Sequence, residues 1–266
     1  MKKGFLILFA IFQFALLHAQ HNEIGLLLGS SYYLGDLNPS KHFSLAKPAG
    51  GLIYRHSFDQ RWAIKMSGLC GSVAGDDAKT KFNESRNLSF KSPIYEVSSQ
   101  LELNFLPYAT GNIKKDYFTP YIFGGISIFS FNPKAKYNGS WYNLQPLGTE
   151  GQGTASLGTK QYSLLNVSFP FGLGFKYSIG KNLCIGAEWG LRKTTTDYLD
   201  DVSTTYAAPA TLNSRMSVVL ADRSGTDDNT GLQRGNSGTK DWYSFAGAFI
   251  TFAFKASGKG ICPAYK

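Results

Sequence analysis

Three cysteines in 266 residues are too few to frame a disulfide-built secreted scaffold. Cys70 and Cys184 fall on opposite faces of their predicted strands and Cys262 lies in a polar tail, so three unpaired thiols are expected. Histidine is as scarce, with four in the chain. The sequence holds no phosphate-binding Walker loop, no Cys-x-x-Cys pair, no His-Glu-x-x-His and no Gly-x-Ser-x-Gly. His42 stands beside Ser44 and a few residues after Asp36, the ingredients of an acyl-transfer site but at no known spacing. The run Asp197-Tyr198-Leu199-Asp200-Asp201 offers oxygen ligands suited to calcium, although acids in one loop commonly stay solvated or cap a turn. No catalytic residue, metal or cofactor is assigned from these patterns. Basic residues are scattered rather than clustered, which argues against nucleic acid.

Long hydrophobic runs are also missing, apart from the start of the chain. There Lys2 and Lys3 precede an apolar stretch from Phe5 to Leu17, and Leu17-His18-Ala19 supplies a small residue for cleavage. The stretch is shorter than the roughly 20 residues a spanning helix needs and reads as a signal peptide over 1–19, with a mature chain from Gln20. No cysteine follows the cleavage point to carry a lipid anchor. Loss of the two leader lysines lowers the formal charge from +9 to +7, a basicity suited to lipid headgroups or lipopolysaccharide.

What the chain has in quantity is glycine and aromatic residues: 29 Gly, 20 Phe and 15 Tyr. Period-two alternation recurs in eight segments, near 23–35, 49–58, 62–74, 93–106, 118–131, 163–178, 183–193 and 241–255. In the fourth, Tyr95, Val97, Leu101 and Leu103 alternate with Glu96, Ser98, Gln100, Glu102 and Asn104. In the sixth, Phe169, Phe171, Leu173, Phe175 and Tyr177 alternate with Pro170, Gly172, Gly174, Lys176 and Ser178. Segments this long exceed the usual soluble strand of five or six residues and match a tilted membrane crossing. Lipid leaves no backbone group unpaired, so strands that cross it must close into a barrel. The predicted fold is therefore all-β: a transmembrane antiparallel up-and-down barrel of eight strands over 20–255, followed by a tail over 256–266.

Two further features agree with that fold. The polar faces carry Arg55, Lys65, Lys176 and Arg192 against Glu96, Glu102 and Glu188. An eight-stranded lumen is just wide enough for side chains to fill, so these seven should pair into an ionic plug rather than line a channel. The connections alternate between long (36–48, 75–92, 132–162, 194–240) and short (59–61, 107–117, 180–182). Outer-membrane barrels place four such long loops outside and the short turns in the periplasm, with both termini periplasmic. Tyr32, Tyr33, Trp62, Phe105, Tyr108, Tyr121, Tyr177, Trp189, Trp242 and Tyr243 are candidates for interfacial aromatic girdles, and the tract Gly225 to Gly238 reads as a mobile loop tip.

The third and fourth long loops carry more particular strings. The third contains Asn132-Pro133-Lys134, then Tyr137-Asn138-Gly139-Ser140-Trp141-Tyr142, then Pro146-Leu147-Gly148-Thr149-Glu150-Gly151-Gln152-Gly153, and the fourth opens with Asp197-Tyr198-Leu199-Asp200-Asp201. With Tyr121-Ile122-Phe123-Gly124-Gly125, Leu34-Gly35-Asp36-Leu37-Asn38 and the terminal Cys262-Pro263-Ala264-Tyr265, the mature chain resembles the PorG-type outer-membrane barrels of the type IX protein secretion system. That resemblance implies a non-enzymatic accessory component held in the Gram-negative outer membrane. It also implies association with a periplasmic ring made of a lipoprotein and its partner. The periplasmic face available to such a ring holds Lys114, Lys115 and Lys181, with Cys262, Pro263 and Tyr265 in the tail. Two alternatives are a generic structural or adhesive surface barrel acting through its loops, and an outer-leaflet lipid-modifying enzyme built on His42 and Ser44.

Overall fold

A computed structural model describes residues 21–112, 114–154, 159–226 and 228–254. The expected leader and the C-terminal tail, with Cys262, Pro263 and Tyr265, lie outside these residues. Strands β1 (His21–Leu34), β2 (Lys47–Ser57), β3 (Trp62–Asp76), β4 (Ser89–Asn104) and β5 (Phe118–Phe131) come first, then a short hairpin, β6 (Lys134–Tyr137) and β7 (Ser140–Asn143). They are followed by β8 (Leu165–Ile179), β9 (Leu183–Thr194) and β10 (Trp242–Phe254). One helical turn, α1 (Asp77–Thr80), and one short helix, α2 (Arg215–Ala221), sit in the loops.

Neighbouring strands run in the order β3-β2-β1-β10-β9-β8-β5-β4, and β4 pairs back onto β3. Every pairing is antiparallel, and β1 closes the ring against β10 from Asn22↔Phe254 to Leu34↔Trp242. The result is a closed eight-stranded barrel without a free edge in its wall. Alternation dictates the faces: Ile24, Leu26 and Leu28 point out from β1, as do Tyr95, Val97 and Leu101 from β4 and Phe169, Phe171 and Leu173 from β8. Leu28 at 70% and Val97 at 67% exposure belong to an apolar band that encircles the wall. A band of that extent far exceeds the apolar patches soluble monomers leave uncovered, and its place is the hydrocarbon of an outer membrane.

Two glycines show how closely the interior is filled. A Cβ on Gly174 would lie 2.4 Å from the Tyr121 ring, and one on Gly186 would lie 2.3 Å from the Phe249 ring. Each aromatic lies flat across a neighbouring strand at a place only a missing side chain permits.

The sequence-derived boundaries differ in informative places. β4 begins four residues before Pro93, because proline removes one ladder donor without stopping the strand on its carbonyl side. The β6–β7 hairpin, absent from the predicted strands, turns at Asn138-Gly139, where φ is 45° and 83°. Asn-Gly is the pair that a two-residue hairpin with both central residues at positive φ favours. Of the girdle candidates, Trp62, Phe105, Tyr177, Trp189 and Trp242 lie on the outer side, whereas Tyr33, Tyr108, Tyr121 and Tyr243 are buried inside. The inward tyrosines are held there by their hydroxyls: Tyr121 donates to Glu188 at 2.9 Å and Tyr243 to Glu96 at 2.8 Å.

Candidate functional site

The lumen holds all seven charged residues of the predicted plug, each buried. Glu102 of β4 is its centre: Arg55 Nε donates to it at 2.8 Å and Lys176 Nζ at 2.6 Å, while Lys65 Nζ stands 3.6 Å away. Lys65 also reaches Glu188 at 2.5 Å, and Arg192 pairs with Glu96 at 3.1 Å nearer the long-loop end. An eighth member, Glu23, was not foreseen. Arg55 Nη1 donates to Glu23 at 2.6 Å, and Thr110 and Thr251 donate to it as well. Glu23 escaped notice because Leu27 further along the inner row of β1 is apolar and blurs the alternation. With it, four bases meet four acids.

Each cation also lies over an aromatic face: Arg55 over Phe249 at 5.1 Å, Lys65 over Phe123 at 4.3 Å, Lys176 over Tyr121 at 4.4 Å and Arg192 over Phe245 at 4.9 Å. Above them, Phe129 and Phe131 stack at 5.6 Å and join an apolar core that continues into the loops through Leu37, Leu88, Leu144, Leu199 and Val202. The barrel is filled from the level of the plug upward.

The long loops fold over this core into a cap, and the particular strings of loops three and four meet there. Gly148, Gly151 and Gly153 have φ of 59°, 84° and 73°, left-handed turns that a side chain would strain. They curl the chain so that Glu150 points inward. Its Oε1 accepts from the Ser203 amide at 2.9 Å and from Arg234 Nη1 at 2.9 Å. Its Oε2 accepts from the Thr204 amide at 3.1 Å and hydroxyl at 2.7 Å. A second arginine, Arg86 of loop two, forks onto Asp77 at 2.8 and 2.9 Å and donates to the carbonyls of Arg234 and Asp36. All four long loops are thereby tied together.

The acidic run is divided among separate partners. Asp197 accepts from the Ser203 hydroxyl at 2.6 Å, Asp200 from Tyr33 and the Val202 amide, and Asp201 from Thr149 and Tyr162. Tyr198 stacks on Tyr162 at 4.7 Å. Burial pushes the carboxyls of Asp197 and Asp201 up to about 6, and burial together with nearby acids raises those of Asp200 and Asp241 well above the usual carboxylate range. Among the described residues, no group of three or more acids, histidines or cysteines is arranged to hold a metal.

Asn132 and Pro133 lead into β6, Gly139 forms the hairpin turn, Pro146 opens a 3₁₀ turn, and Trp141 on β7 is half exposed. Arg234, in the tract read as a mobile tip, is buried and pinned by Glu150, Ala221 and Asp201. Its surroundings of Gly, Asn and Thr gave no sign of an anchor. His42 and Asp36 are not brought together as a pair: His42 Nδ1 meets the Tyr32 hydroxyl at 3.0 Å, and Asp36 accepts the Asn236 amide. At the opposite end, Lys114, Lys115 and Lys181 are exposed.

A family model described as a domain of unknown function (DUF6089) matches residues 2–214. The chain belongs to that family. The match takes in the loop-three string and the acidic run and stops short of Arg234 and β10. A search of curated proteins finds no match. Among solved structures, Ail, the attachment invasion locus protein of Yersinia pestis, is similar at 11% identity, covering 89% of this chain and 100% of that one, with a TM-score of 0.42. Neisserial surface protein A is similar at 8% identity over 89% and 100%, TM-score 0.42. OprG from Pseudomonas aeruginosa is similar at 10% over 89% and 96%, TM-score 0.39.

Proposed function

We propose that this outer-membrane barrel is a non-catalytic accessory component of the type IX protein secretion machinery, a membrane mount for other proteins. The observation that carries the mount reading is the closed interior. Glu102 gathers three cations in the lumen and the four loops lock above it, so nothing on the scale of a solute has a path through. A barrel closed to transport acts through its surfaces. The secretion role rests on the resemblance of loops three and four to PorG-type barrels, and its support is that Glu150, Asp197, Asp200 and Asp201 all serve one shared cap.

In this reading a cleaved leader exports the chain, the cap faces outward, and both termini lie in the periplasm. The exposed Lys114, Lys115 and Lys181 then face the lipoprotein of a periplasmic ring and its partner, together with Cys262, Pro263 and Tyr265 of the tail. Bilayer lipid and lipopolysaccharide surround the wall. Crosslinking from Cys262 should capture a ring protein, and deletion should abolish export of folded cargo. Normal export with an intact ring after deletion rejects the role. A surface adhesin is the second reading, favoured by the half-exposed Trp141 on the projecting β6–β7 hairpin. Deletion would then cost surface binding and leave export intact.

A further inference from the structure

A groove of about 720 Å³ runs along the outer wall at the long-loop end, a volume within the range of small-molecule sites. We propose that it holds one anionic, phosphate-bearing lipid of the surrounding leaflet, its acyl part on Leu34, Leu191 and Trp242 and its phosphate between Lys240 and Lys193. The proposal rests on the barrel's place in a membrane and is independent of the secretion role.

Strand register fixes the floor. Leu34, Trp242 and Lys193 are direct partners across β1, β10 and β9, one row above Tyr32, Ser244 and Leu191. All lie on the outward face, so the floor continues the apolar band and is reached from lipid rather than from the lumen. Loop one lines one side with Asp36 and Pro39, and below the groove it packs onto the outer strand face. His42 and Phe43 fold down over Tyr32 and Trp189, with ring centroids 4.7 to 6.3 Å apart, and Tyr32 accepts a hydrogen bond from Trp189 Nε1 at 2.9 Å. Phe82 of loop two, 65% exposed, stands at the rim.

Charge selects the occupant. Arg86, Arg234 and Lys240 line the groove against one carboxylate, Asp36. The two arginines are committed to Asp77 and Glu150 and contribute a positive background. Lys240 is not so committed: its Nζ has a 3.4 Å contact with the Ser237 carbonyl and is otherwise exposed. Lys193, also exposed, lies 5.7 Å over the Trp242 ring, which holds its ammonium at the level where the aromatic floor meets the headgroups. Burial pushes the Asp36 carboxyl up, and it already accepts the Asn236 amide at 3.0 Å. An apolar floor with Lys240 in its lining and Lys193 beside its Trp242 ring matches an anionic amphiphile. It does not match a neutral one, which would leave the lysines without a partner.

The test uses the full-length chain in detergent, titrated with phosphatidylglycerol and with phosphatidylcholine and read by native mass spectrometry. One phosphatidylglycerol should remain bound under activation that strips phosphatidylcholine. A lysine at an anionic surface contributes about fivefold in affinity, so Lys193→Gln with Lys240→Gln should weaken retention about thirtyfold. Lys136→Gln, an exposed lysine on β6, should leave it unchanged. If the double variant does not fold, Lys240→Gln alone, in a loop, should give the single fivefold loss. Equal retention of the two lipids, no loss in the lysine variants, or an equal loss in Lys136→Gln each overturns the site. Cargo export is not the readout, so failure here is distinct from failure of the secretion role.

Discussion

Arg234 of loop four donates to Glu150 of loop three at 2.9 Å, and both are buried at the centre of the cap. Breaking a buried pair by removing one partner costs about 3 kcal/mol or more, because the other charge is left uncompensated. Glu150→Gln should therefore speed hydrogen exchange at the Ser203 and Thr204 amides, which donate to the same carboxylate, by about a hundredfold. Amides of β5 should exchange as before, since the cap is a separate layer from the wall.

Glu102→Gln strikes the plug. It leaves Arg55, Lys65 and Lys176, all buried, short of their shared anion. With a loss of about 3–5 kcal/mol, the midpoint of thermal unfolding followed by strand circular dichroism should fall on the order of 10 °C. Wild-type protein in a planar bilayer should carry no steady current, and a stable ohmic conductance would contradict the sealed interior.

The cap should also respond to pH, with a sign opposite to ordinary acid denaturation. Asp197 and Asp201 are held at about 6, above the usual carboxylate value of 3.8. The folded cap therefore binds protons that the opened chain releases between those values. The stability these two carboxyls contribute is full below about pH 4 and is lost as pH rises through 6. Limited proteolysis of loop four should be slower at pH 5 than at pH 7.5, and Asp201→Asn should flatten that dependence.

Gly174→Ala tests the fit of the interior. The added Cβ would meet the Tyr121 ring, which bonds to Glu188, so a loss of about 1–3 kcal/mol is expected in thermal unfolding. Gly68→Ala, where a Cβ would meet nothing within 4 Å, should be neutral.

The wall of the barrel was largely legible because lipid on one side and charge on the other enforce a period of two. β5 falls at the predicted residues 118–131, and every anticipated plug charge lies inside. Legibility failed where a residue's role depends on something distant in sequence. Glu23 is a plug member because Arg55 reaches it from β2, and the inward Tyr121 is held by the hydrogen bond it donates to Glu188. Arg234 looks like linker composition until Glu150 is seen to need a cation. The loop-three string was visible as unusual. Its meaning, a chain curled by Gly148, Gly151 and Gly153 to aim one carboxylate, requires the fold.

The pairing of β1 with β10 has a consequence for biogenesis. The first strand made must wait for the last, some two hundred residues later in sequence, before its backbone is satisfied. A chain stopped at residue 214 would hold seven wall strands, an open seam and two unpaired edges, and lipid tolerates neither. Insertion is therefore an event of the whole polypeptide, concluded by its final strand, and the nascent protein must be kept from aggregating until that strand exists.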